Sequence, residues 1–562
     1  MAQPSSASSQ APHAAAPSPG CKGLDDVDFL PDEGVTTVSG QLLEGCIRRS
    51  FTEASYVTSL IQQGADPRAT GGLRVRGTAG TAGRRYSCLS FAIDSPTNIP
   101  SLYARGDDYP KEVPVVLPQW SSRQLQRDII NALVDGGADV NADPNLTEGS
   151  TDRPIKMAIR AGNLTAVEAL LSRQANVRGV RVMRPPYIPY AARPVSCQYE
   201  AALMSVFRRL IQHDSTLAAE RSVGGENLVH EASRHFATHT AFSQLFMDEY
   251  LTLITSRRVN MTATDNFGRT PLHEAAGYGS PCVAHWLCRQ LTADDVNRGR
   301  PNRANLTPLA EAARTLDEVV QRREADRIDE QRTVIRVLLR GGAVPSIARM
   351  PTATEVQHRR CQRRVLAEYA TVLNELSEAV MSAINTALAP QRSLAALLTP
   401  RLAVGPQEAP VFAWRIASYL FDIDAAMAAI DESIPLRNSR LFRRVRAAVT
   451  HFVKSALHAS SNREVVGVTG SLGGVMVRVP LQCFAVSDGA DSRPPHVVHT
   501  AGRLGLREVV HKARLDEAAS HGVVGVVKGF NEHLGDQDCQ FAWQQLGHID
   551  RQTGLFVSLG ID

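Results

Sequence analysis

Two cysteines and a histidine recur at intervals of three residues in the stretch CVAHWLC, as Cys282, His285 and Cys288. Thiolates and imidazoles are ligands that zinc prefers, and a structural zinc site normally uses four of them. No fourth candidate stands near these three in the sequence. The stretch is therefore interpreted as part of a helix, and no metal or other cofactor is predicted for the chain.

A glycine-rich stretch, TGSLGG at 469–474, offers a second possible chemistry. It follows the strand-like EVVGV and resembles the phosphate turn of dinucleotide-binding dehydrogenases. Such a site needs a helix N-terminus after the turn, whereas the next residues, VMVRVP, alternate as a strand does. The sequence therefore predicts a β-hairpin over 464–479. A nucleophile elbow is also excluded, because no helix would carry Ser471.

Two basic clusters could contact phosphate or act as a nuclear address, namely HRRCQRR at 358–364 and RNSRLFRRVRAAV at 437–449. The net charge of the 562-residue chain is only +4, so its overall electrostatics do not favour a polyanionic partner. Both clusters are interpreted as solvated faces of amphipathic helices. No nucleic-acid partner is expected.

The composition indicates a soluble intracellular protein. Nine cysteines are scattered without regular pairing, which is typical of reduced thiols. The first twenty residues are rich in Ser, Ala and Pro and lack an apolar core, so residues 1–35 are predicted to be a disordered tail. The apolar stretch 409–421 is too short to cross a bilayer. We expect no membrane association and a cytoplasmic location, with the nucleus possible.

The elements that would position any site are helical. In FGRTPLHEAAGYGS, Thr270 is placed to cap a helix, Pro271 suits its first turn, and Leu272 begins an apolar face. Gly277 and Gly279 suit a helix end that needs positive φ. A second apolar helix follows. Such a helical pair cannot bury both of its sides alone, so it needs neighbours.

The same pattern recurs along the chain. Its beginning recurs in three other segments. GGENLVHEASRH contains His230, and TDRPIKMAIR contains Pro154. RANLTPLAEAAR contains Thr307, Pro308 and Leu309. Its ending recurs behind apolar helical stretches as GADP at 64–67, GADVN at 137–141, QANVR at 174–178, DDVN at 294–297 and GAVP at 342–345.

This combination resembles the ankyrin repeat, whose consensus begins Thr-Pro-Leu-His and ends Gly-Ala-Asp-Val-Asn. The resemblance covers about 40–345 and implies an ankyrin-type α-solenoid with insertions over 36–350. It further implies that His230 and His273 bond to the backbone of the adjacent unit. It places Cys288 at a core leucine position and His285 at an exposed one.

Three insertions interrupt the pattern, and insertions in repeat arrays often bind partners. They are PTNIPSLYARGDDYPKEVPVVLPQW at 96–120, VRVMRPPYIPYAARP at 180–194 and TLDEVVQRREADRIDEQRT at 315–333. Tyr and Arg are favoured interface residues, so Arg184, Tyr187 and Tyr190 are predicted to contact a protein. The third insertion is interpreted as a solvated, charged helix extension.

The remainder of the chain shows no repeat pattern. Residues 351–460 are predicted to be helical, with a long helix over 355–389 ended by Pro390 and further helices over 393–402, 410–431 and 437–458. Residues 461–562 alternate glycine-flanked apolar runs around one helix, which predicts a small α+β module. The predicted fold is therefore mainly α: an ankyrin-type α-solenoid, a helical segment and a small α+β module in which no family is recognised.

The leading hypothesis for function is a scaffold that binds one or more proteins and has no catalysis of its own. One alternative is a substrate adapter for a ubiquitin ligase, because 397–423 resembles an F-box helix with altered acidic and proline spacing. A second alternative makes the array a targeting device for a C-terminal enzyme module. The candidate groups of that enzyme are His496, His499, His511 and Glu517.

Overall fold

A computed structural model defines the fold. It describes residues 20–107, 112–143, 153–178, 181–234, 241–257, 259–301, 303–350, 353–406, 408–434, 436–437, 439–457, 469–472, 475–478, 485–487, 496–497, 505–527, 541–549 and 553–561. The chain divides into two compact units, Met1–Pro271 and Leu272–Asp562. The division falls inside the segment that the sequence predicts to be one array.

The first unit is mainly helical. Its helices are α1 (Thr37–Arg48), α2 (Ala54–Gln62), α3 (Cys88–Ala92), α4 (Arg123–Asp135), α5 (Pro154–Arg160), α6 (Leu164–Ser172), α7 (Cys197–His213), α8 (Leu228–Arg234) and α9 (Gln244–Thr255). They pack in series: α2 lies against α4, α4 against α6, α6 against α7, and α7 against α9. In the same way α1 contacts α3, and α3 contacts α5.

A five-stranded sheet accompanies these helices. Its strands are β1 (Val27–Pro31), β2 (Thr70–Val75), β3 (Tyr86–Ser87), β4 (Leu102–Arg105) and β5 (Glu112–Val115). The order is β1-β2-β4-β5, with β3 also paired to β2. Strands β1 and β2 are antiparallel, β2 and β4 are parallel, and β4 and β5 are antiparallel.

The sheet corrects two predictions from the sequence. Residues 27–31 form β1, so the part of the predicted tail that follows residue 26 is ordered by pairing with β2. The insertion over 96–120 is not only an exposed loop, because it supplies β4 and β5. Its Trp120 is buried, and the indole Nε1 donates to the Ala92 carbonyl oxygen at 2.8 Å. Pairing and burial of these apolar side chains outweigh the high proline content.

Four of the five predicted endings form turns of one geometry, which also ends α1 at Arg49 and α5 at Gly162. The second residue after each of the four helices takes a positive φ: 98° at Gly64, 104° at Gly137, 61° at Gln174 and 97° at Gly342. In each turn the next backbone N–H donates to the carbonyl five residues earlier, from Ala65 to Leu60, Ala138 to Leu133, Ala175 to Leu170 and Ala343 to Leu338. Glycine is favoured there because it has no Cβ to clash at positive φ.

The fifth predicted ending, DDVN at 294–297, has a different structure. Ala293–Val296 forms a short helix, because the Thr292 hydroxyl accepts the Asp295 N–H and caps it. Asn297 then donates through Nδ2 to the Gly342 carbonyl oxygen and accepts the Val344 N–H. The asparagine therefore fixes the neighbouring turn rather than forming one of the same geometry.

The second unit is also mainly helical. Its helices are α10 (Pro271–Tyr278, which begins at the division), α11 (Pro281–Gln290), α12 (Ala293–Val296), α13 (Pro308–Arg322), α14 (Ala325–Arg340), α15 (Glu355–Leu398), α16 (Ala409–Tyr419), α17 (Ile423–Ser433), α18 (Arg440–Ala456) and α19 (Leu506–His521). The long helix α15 is the centre of this unit, since α13, α14, α16, α17, α18 and α19 all contact it.

Helix α15 continues through Pro390, where the sequence predicted its end. Proline removes one backbone hydrogen bond inside a helix and usually breaks or kinks it. Here the residues on both sides, including Ala387, Gln391 and Ala395, are buried where α16 and α17 pack against α15. This packing offsets the lost hydrogen bond, and the helix extends to Leu398.

The charged insertion over 315–333 is only partly solvated: its middle, 321–330, is largely exposed, whereas its beginning is buried. It lies in α13 and α14, and the Asp317 carboxylate is fully buried. Arg360 and Arg364 of the first basic cluster approach this carboxylate to 2.8 and 3.3 Å, and the ion pairs hold its pKa below the usual value against the opposing effect of burial. Part of the first basic cluster therefore joins α15 to α13, although both arginines remain partly exposed.

The second basic cluster is likewise partly buried. Arg444 of α18 lies 3.3 Å from the Asp516 carboxylate of α19, and its guanidinium stacks over the Trp543 ring at 4.4 Å. The predicted helix over 504–519 is α19, and it packs against both α18 and α15. These contacts integrate the predicted C-terminal module with the preceding helices in one unit.

The C-terminal strands are short. They are β6 (Thr469–Leu472), β7 (Val475–Arg478), β8 (Ala485–Val486), β9 (His496–Val497), β10 (Leu546–Ile549) and β11 (Phe556–Ser558). Strands β6 and β7 pair antiparallel from Thr469 with Arg478 to Leu472 with Val475, which confirms the predicted hairpin over these residues. The others form a sheet in the order β11-β10-β8-β9. Within the described ranges, no helix is both long and apolar enough to cross a membrane.

Serine and threonine set the beginnings of several helices. The hydroxyl of the residue before the helix accepts an orphan N–H from its first turn, which stabilises the helix end. This occurs before α4, α7, α9, α13 and α15, at Ser122, Ser196, Ser243, Thr307 and Thr354.

Candidate binding surface

The segment 181–194 of the first unit is here called the tyrosine loop. Several of its own apolar side chains are buried and anchor it. Val182, Met183 and Ile188 are buried. The Tyr250 hydroxyl of α9 donates to the Met183 carbonyl oxygen at 2.8 Å. Arg193 closes the loop on itself, because its Nε donates to the Ile188 carbonyl oxygen at 2.9 Å. The loop is therefore a fixed platform.

An acidic residue of α8 anchors the beginning of the tyrosine loop. The Glu231 side chain is almost completely buried and lies 2.9 Å from the Arg181 guanidinium and 3.5 Å from that of Arg184. Burial lowers the pKa of Arg184, and Glu231 opposes this effect. Arg184, which the sequence predicted to contact a partner, is thus turned toward the protein and serves as an anchor.

The two predicted tyrosines do reach solvent. Tyr187 is 50% exposed and Tyr190 is 80% exposed. The Arg193 guanidinium lies over both rings, at 5.7 Å from the Tyr187 centroid and 5.9 Å from that of Tyr190. Cation–π contacts of this kind hold aromatic rings in place at a surface. The sequence analysis missed Arg193, although its position three residues after Tyr190 in the same insertion could have indicated it.

A third tyrosine extends the aromatic surface toward the sheet. Tyr103 of β4 lies beneath the Arg84 guanidinium, with 4.8 Å to the ring centroid, and also near Arg160 at 5.9 Å. Burial is the main cause that raises the pKa of the Tyr103 phenol, and the nearby Tyr187 adds to it. Phenols and guanidinium groups therefore alternate along this part of the first unit, a composition enriched in protein interfaces.

The residues with predicted structural roles in the repeats lie at helix beginnings. The Thr307 hydroxyl accepts the Ala310 N–H at 3.3 Å, and Pro308 is the first residue of α13. Thr270 is buried immediately before α10, which begins at Pro271. The apolar residues that follow, Leu272 and Leu309, are both buried.

The two histidines in these helices bond to distant backbone. His273 Nε2 lies 3.0 Å from the Leu306 carbonyl oxygen, just before α13. His230 Nε2 lies 3.0 Å from the Arg269 carbonyl oxygen, just before α10. A carbonyl accepts only, so each Nε2 donates. Burial lowers the pKa of His230 and favours its neutral form.

One glycine differs from its predicted role. Gly277 lies inside α10, and a Cβ there would be in ordinary contact with the Glu311 side chain of α13, 3.5 Å from its Cγ, so a side chain as small as that of alanine would fit. Gly279, just after the helix, does take a positive φ of 78°.

The potential zinc ligands of α11, all of which the structure describes, are not assembled into a site. Cys288 is buried whereas His285 is exposed, so the two side chains of α11 lie on different sides of it. Over the described ranges, no three His, Cys, Asp or Glu side chains are grouped to hold a metal ion. Glu517, a candidate for the enzyme alternative, accepts a hydrogen bond from the Tyr369 hydroxyl at 2.7 Å. His499 lies outside the described residues.

Comparison with protein-family models finds a match to part of the chain. No curated protein sequence is similar to the chain over any significant stretch. A family model, the ankyrin repeat, matches residues 267–294, which include α10 and α11. This stretch contains the Thr-Pro-Leu-His start at Thr270 and both helices of one unit. The match therefore supports one ankyrin repeat, and with it a type of module that mediates protein–protein interaction.

Proposed function

We propose that the chain is an ankyrin-type repeat protein that binds other proteins, with an array of stacked units over about 40–345. The recurrence of one ending, a residue at positive φ followed by alanine, at Gly64, Gly137, Gln174 and Gly342 carries this proposal. The serial packing of helices in the first unit and the family match at 267–294 support it. Helical pairs with the same ending stack because each buries its apolar side against the next.

We infer that the tyrosine loop is a contact surface of this scaffold. Its tyrosines offer a large apolar area at low entropic cost, because the rings have few rotatable bonds and the loop backbone is already fixed. Recognition of this kind depends on shape and side-chain pattern, so it needs no catalytic group. The scattered thiols favour the cytoplasm as its location, with the nucleus as a second possibility.

The ligase-adapter alternative is favoured by one observation. The segment 397–423 contains α16, which carries several exposed apolar side chains. Substitution of Ile416 by Ser, followed by quantitative co-purification of ubiquitin-ligase subunits, tests this alternative. Ligase subunits recovered with the parent chain and lost with Ile416→Ser support it, whereas equal recovery rejects it.

Proximity labelling with the full chain tests the main proposal. The double variant Tyr187→Ser/Tyr190→Ser removes the exposed rings, and Tyr56→Ser is a matched control because Tyr56 of α2 has a similarly exposed ring. Loss of two interface tyrosines typically weakens binding by about tenfold or more. We expect a defined set of proteins to lose label with the double variant and keep it with the control. Unchanged labelling would reject the tyrosine loop as a contact surface.

A further inference from the structure

Helix α16 of the second unit is apolar on two sides. Its inner side, with Ala413, Trp414 and Ala417, is buried. A second side has the helical spacing i, i+4, i+7, i+8 and is solvent-exposed; we call it the outer stripe: Phe412 (45% exposed), Ile416 (40%), Tyr419 (88%) and Leu420 (71%). A surface helix normally carries a single apolar stripe. The outer stripe is therefore a contiguous apolar area of the type that marks an interaction site.

A cavity of about 200 Å³ opens beside the outer stripe. Ala387 of α15, Ala417 of α16 and Ala426 of α17 form its buried floor. Leu420 belongs both to its wall and to the outer stripe, and the exposed Ala425 lies at its mouth. We call it the alanine cavity. Its volume is below the range of roughly 300–1,000 Å³ that is usual for sites of drug-sized ligands, and it suits one aromatic side chain.

One buried hydrogen-bond acceptor in the lining of the alanine cavity lacks a donor. Gln391 is only 2% exposed; its Nε2 donates to the Trp414 carbonyl oxygen at 3.5 Å, while its Oε1 accepts no hydrogen bond from the residues that the structure describes. Pro390 has no N–H, so the Thr386 carbonyl also loses its helical donor, but Thr386 is exposed and water can replace that donor. Unsatisfied buried acceptors are costly, and an occupant that brings an N–H would relieve that cost.

The residues around the outer stripe indicate what kind of occupant fits. Arg415, beside the stripe on α16, and Arg401, just before it, are exposed, and neither has a carboxylate within 4.0 Å in the described part of the chain. A small molecule that fills only the alanine cavity would leave the stripe uncovered. A protein segment with an aromatic anchor and acidic flanks would cover both.

We propose that the alanine cavity and the outer stripe bind a segment of another protein, with a tryptophan side chain inserted in the cavity. Indole combines a large apolar ring with a single N–H donor and no acceptor, which matches a mainly apolar cavity in which Gln391 Oε1 lacks a donor. The indole N–H donates to Gln391 Oε1, while Asp422, the charged residue of the lining, already accepts the Asp424 and Ala425 N–H groups. This proposal is independent of the repeat array.

The chain cannot supply this tryptophan itself. It has four tryptophans, and all are buried in its own fold: Trp120, Trp286, Trp414 and Trp543. A second folded copy has none to offer for the same reason. The tryptophan therefore comes from a different protein.

Titration of the full chain with indole, followed by ligand-observed NMR, tests the cavity. The matched probe is 1-methylindole, which lacks the donor, and we expect it to bind at least about tenfold more weakly. Ala425→Leu fills the mouth and should abolish indole binding, whereas Ala428→Leu, an exposed alanine of the same helix outside the lining, should leave it intact. Gln391→Met removes the acceptor, so it should abolish the preference for indole over 1-methylindole. Indole binding that survives Ala425→Leu would overturn the proposal.

Selection of phage-displayed random peptides on the full chain tests the source of the tryptophan. Peptides that bind the parent protein and Ala428→Leu but not Ala425→Leu should contain tryptophan flanked by apolar and acidic residues. Their affinity should fall about tenfold with Ile416→Ser. Indole binding together with cavity-dependent peptides that lack tryptophan, or with no such peptides, would assign a small-molecule site and overturn the proposal.

Discussion

The tyrosine loop and the outer stripe are two exposed aromatic surfaces with different chemistry. The exposed rings of the loop, Tyr187 and Tyr190, carry hydroxyl groups that water can satisfy, and Arg193 lies over both rings. Most of the outer stripe has no polar side-chain atom, as in Phe412 and Ile416. Exposure to water is therefore more costly for the stripe. The stripe is the stronger physical indication of a bound partner, although the sequence drew attention to the loop.

The supports of the two surfaces differ as well. The loop depends on polar groups, chiefly Glu231 and the Tyr250 hydroxyl, in addition to its own buried apolar side chains. Helix α16 depends on apolar packing of Trp414, whose Nε1 also donates to the Ala456 carbonyl oxygen at 3.1 Å. Substitutions of Trp414 and of Glu231 should therefore show how much apolar packing and polar contacts each contribute to the free energy of unfolding.

The largest effect is expected at the inner side of α16. Trp414→Ala removes a fully buried ring and leaves the Ala456 carbonyl without its donor, so the free energy of unfolding should fall by about 3–5 kcal/mol. Tyr419→Ala, on the exposed side of the same helix, should change it by less than about 0.5 kcal/mol. Urea unfolding followed by circular dichroism measures both. Similar losses in the two variants would mean that α16 has no distinct inner side.

The second effect is expected at the anchor of the tyrosine loop. Glu231→Ala leaves Arg181 and Arg184 without their buried partner, and breaking a buried ion pair typically costs about 3–5 kcal/mol. Since both arginines are partly exposed, water screens the charge, and we expect a loss of about 2 kcal/mol. Limited proteolysis should also become faster within 181–194.

The control for this prediction is Glu249→Ala, which removes an exposed ion pair with Arg208. Such surface pairs contribute about 0–1 kcal/mol. If Glu231→Ala were no more destabilising than Glu249→Ala, the loop would be held by its apolar residues alone, and its contrast with α16 would disappear.

The sequence predicted the local features of the fold well. Turn endings could be found because they need a residue that tolerates positive φ, and three of the four predicted endings with that geometry have glycine there. The hairpin of β6 and β7 could be found because its alternation is local. Each of these features depends on neighbours within a few residues, which is what a sequence pattern records.

Features that depend on distant contacts were missed. Pro390 predicts a helix end, yet packing of α16 and α17 carries the helix past it. From the sequence alone, Asp317 is predicted to be solvated. Its partners, Arg360 and Arg364, lie more than forty residues later in the chain, so no local pattern indicates the ion pairs. In the candidate site, exposure of Tyr187 and Tyr190 was predictable from composition, whereas the inward turn of Arg184 depends on Glu231. The alanine cavity depends on three helices and leaves no local pattern.

A smaller effect is expected from pH in the first unit. Burial lowers the pKa of His230 in the folded chain, so the unfolded chain binds this proton first as pH falls below about 6.5. The stabilising contribution is present above that pH and is lost below it, by up to about 1 kcal/mol per pH unit. His230→Gln should flatten the dependence of unfolding free energy on pH between about 6.5 and 5. An unchanged slope would mean that His230 has an ordinary pKa.

The smallest change in stability is expected from the exposed residues themselves. Ile416→Ser and Tyr190→Ser should each alter the free energy of unfolding by less than about 0.5 kcal/mol, because both side chains are already in contact with water. Their effects on association should nevertheless differ. An exposed apolar stripe promotes weak self-association, whereas a tyrosine flanked by arginine is better hydrated. We expect Ile416→Ser to lower the concentration dependence of the sedimentation coefficient and Tyr190→Ser to leave it unchanged. If both variants changed the concentration dependence equally, the difference in polarity between the two surfaces would not determine how strongly each promotes association.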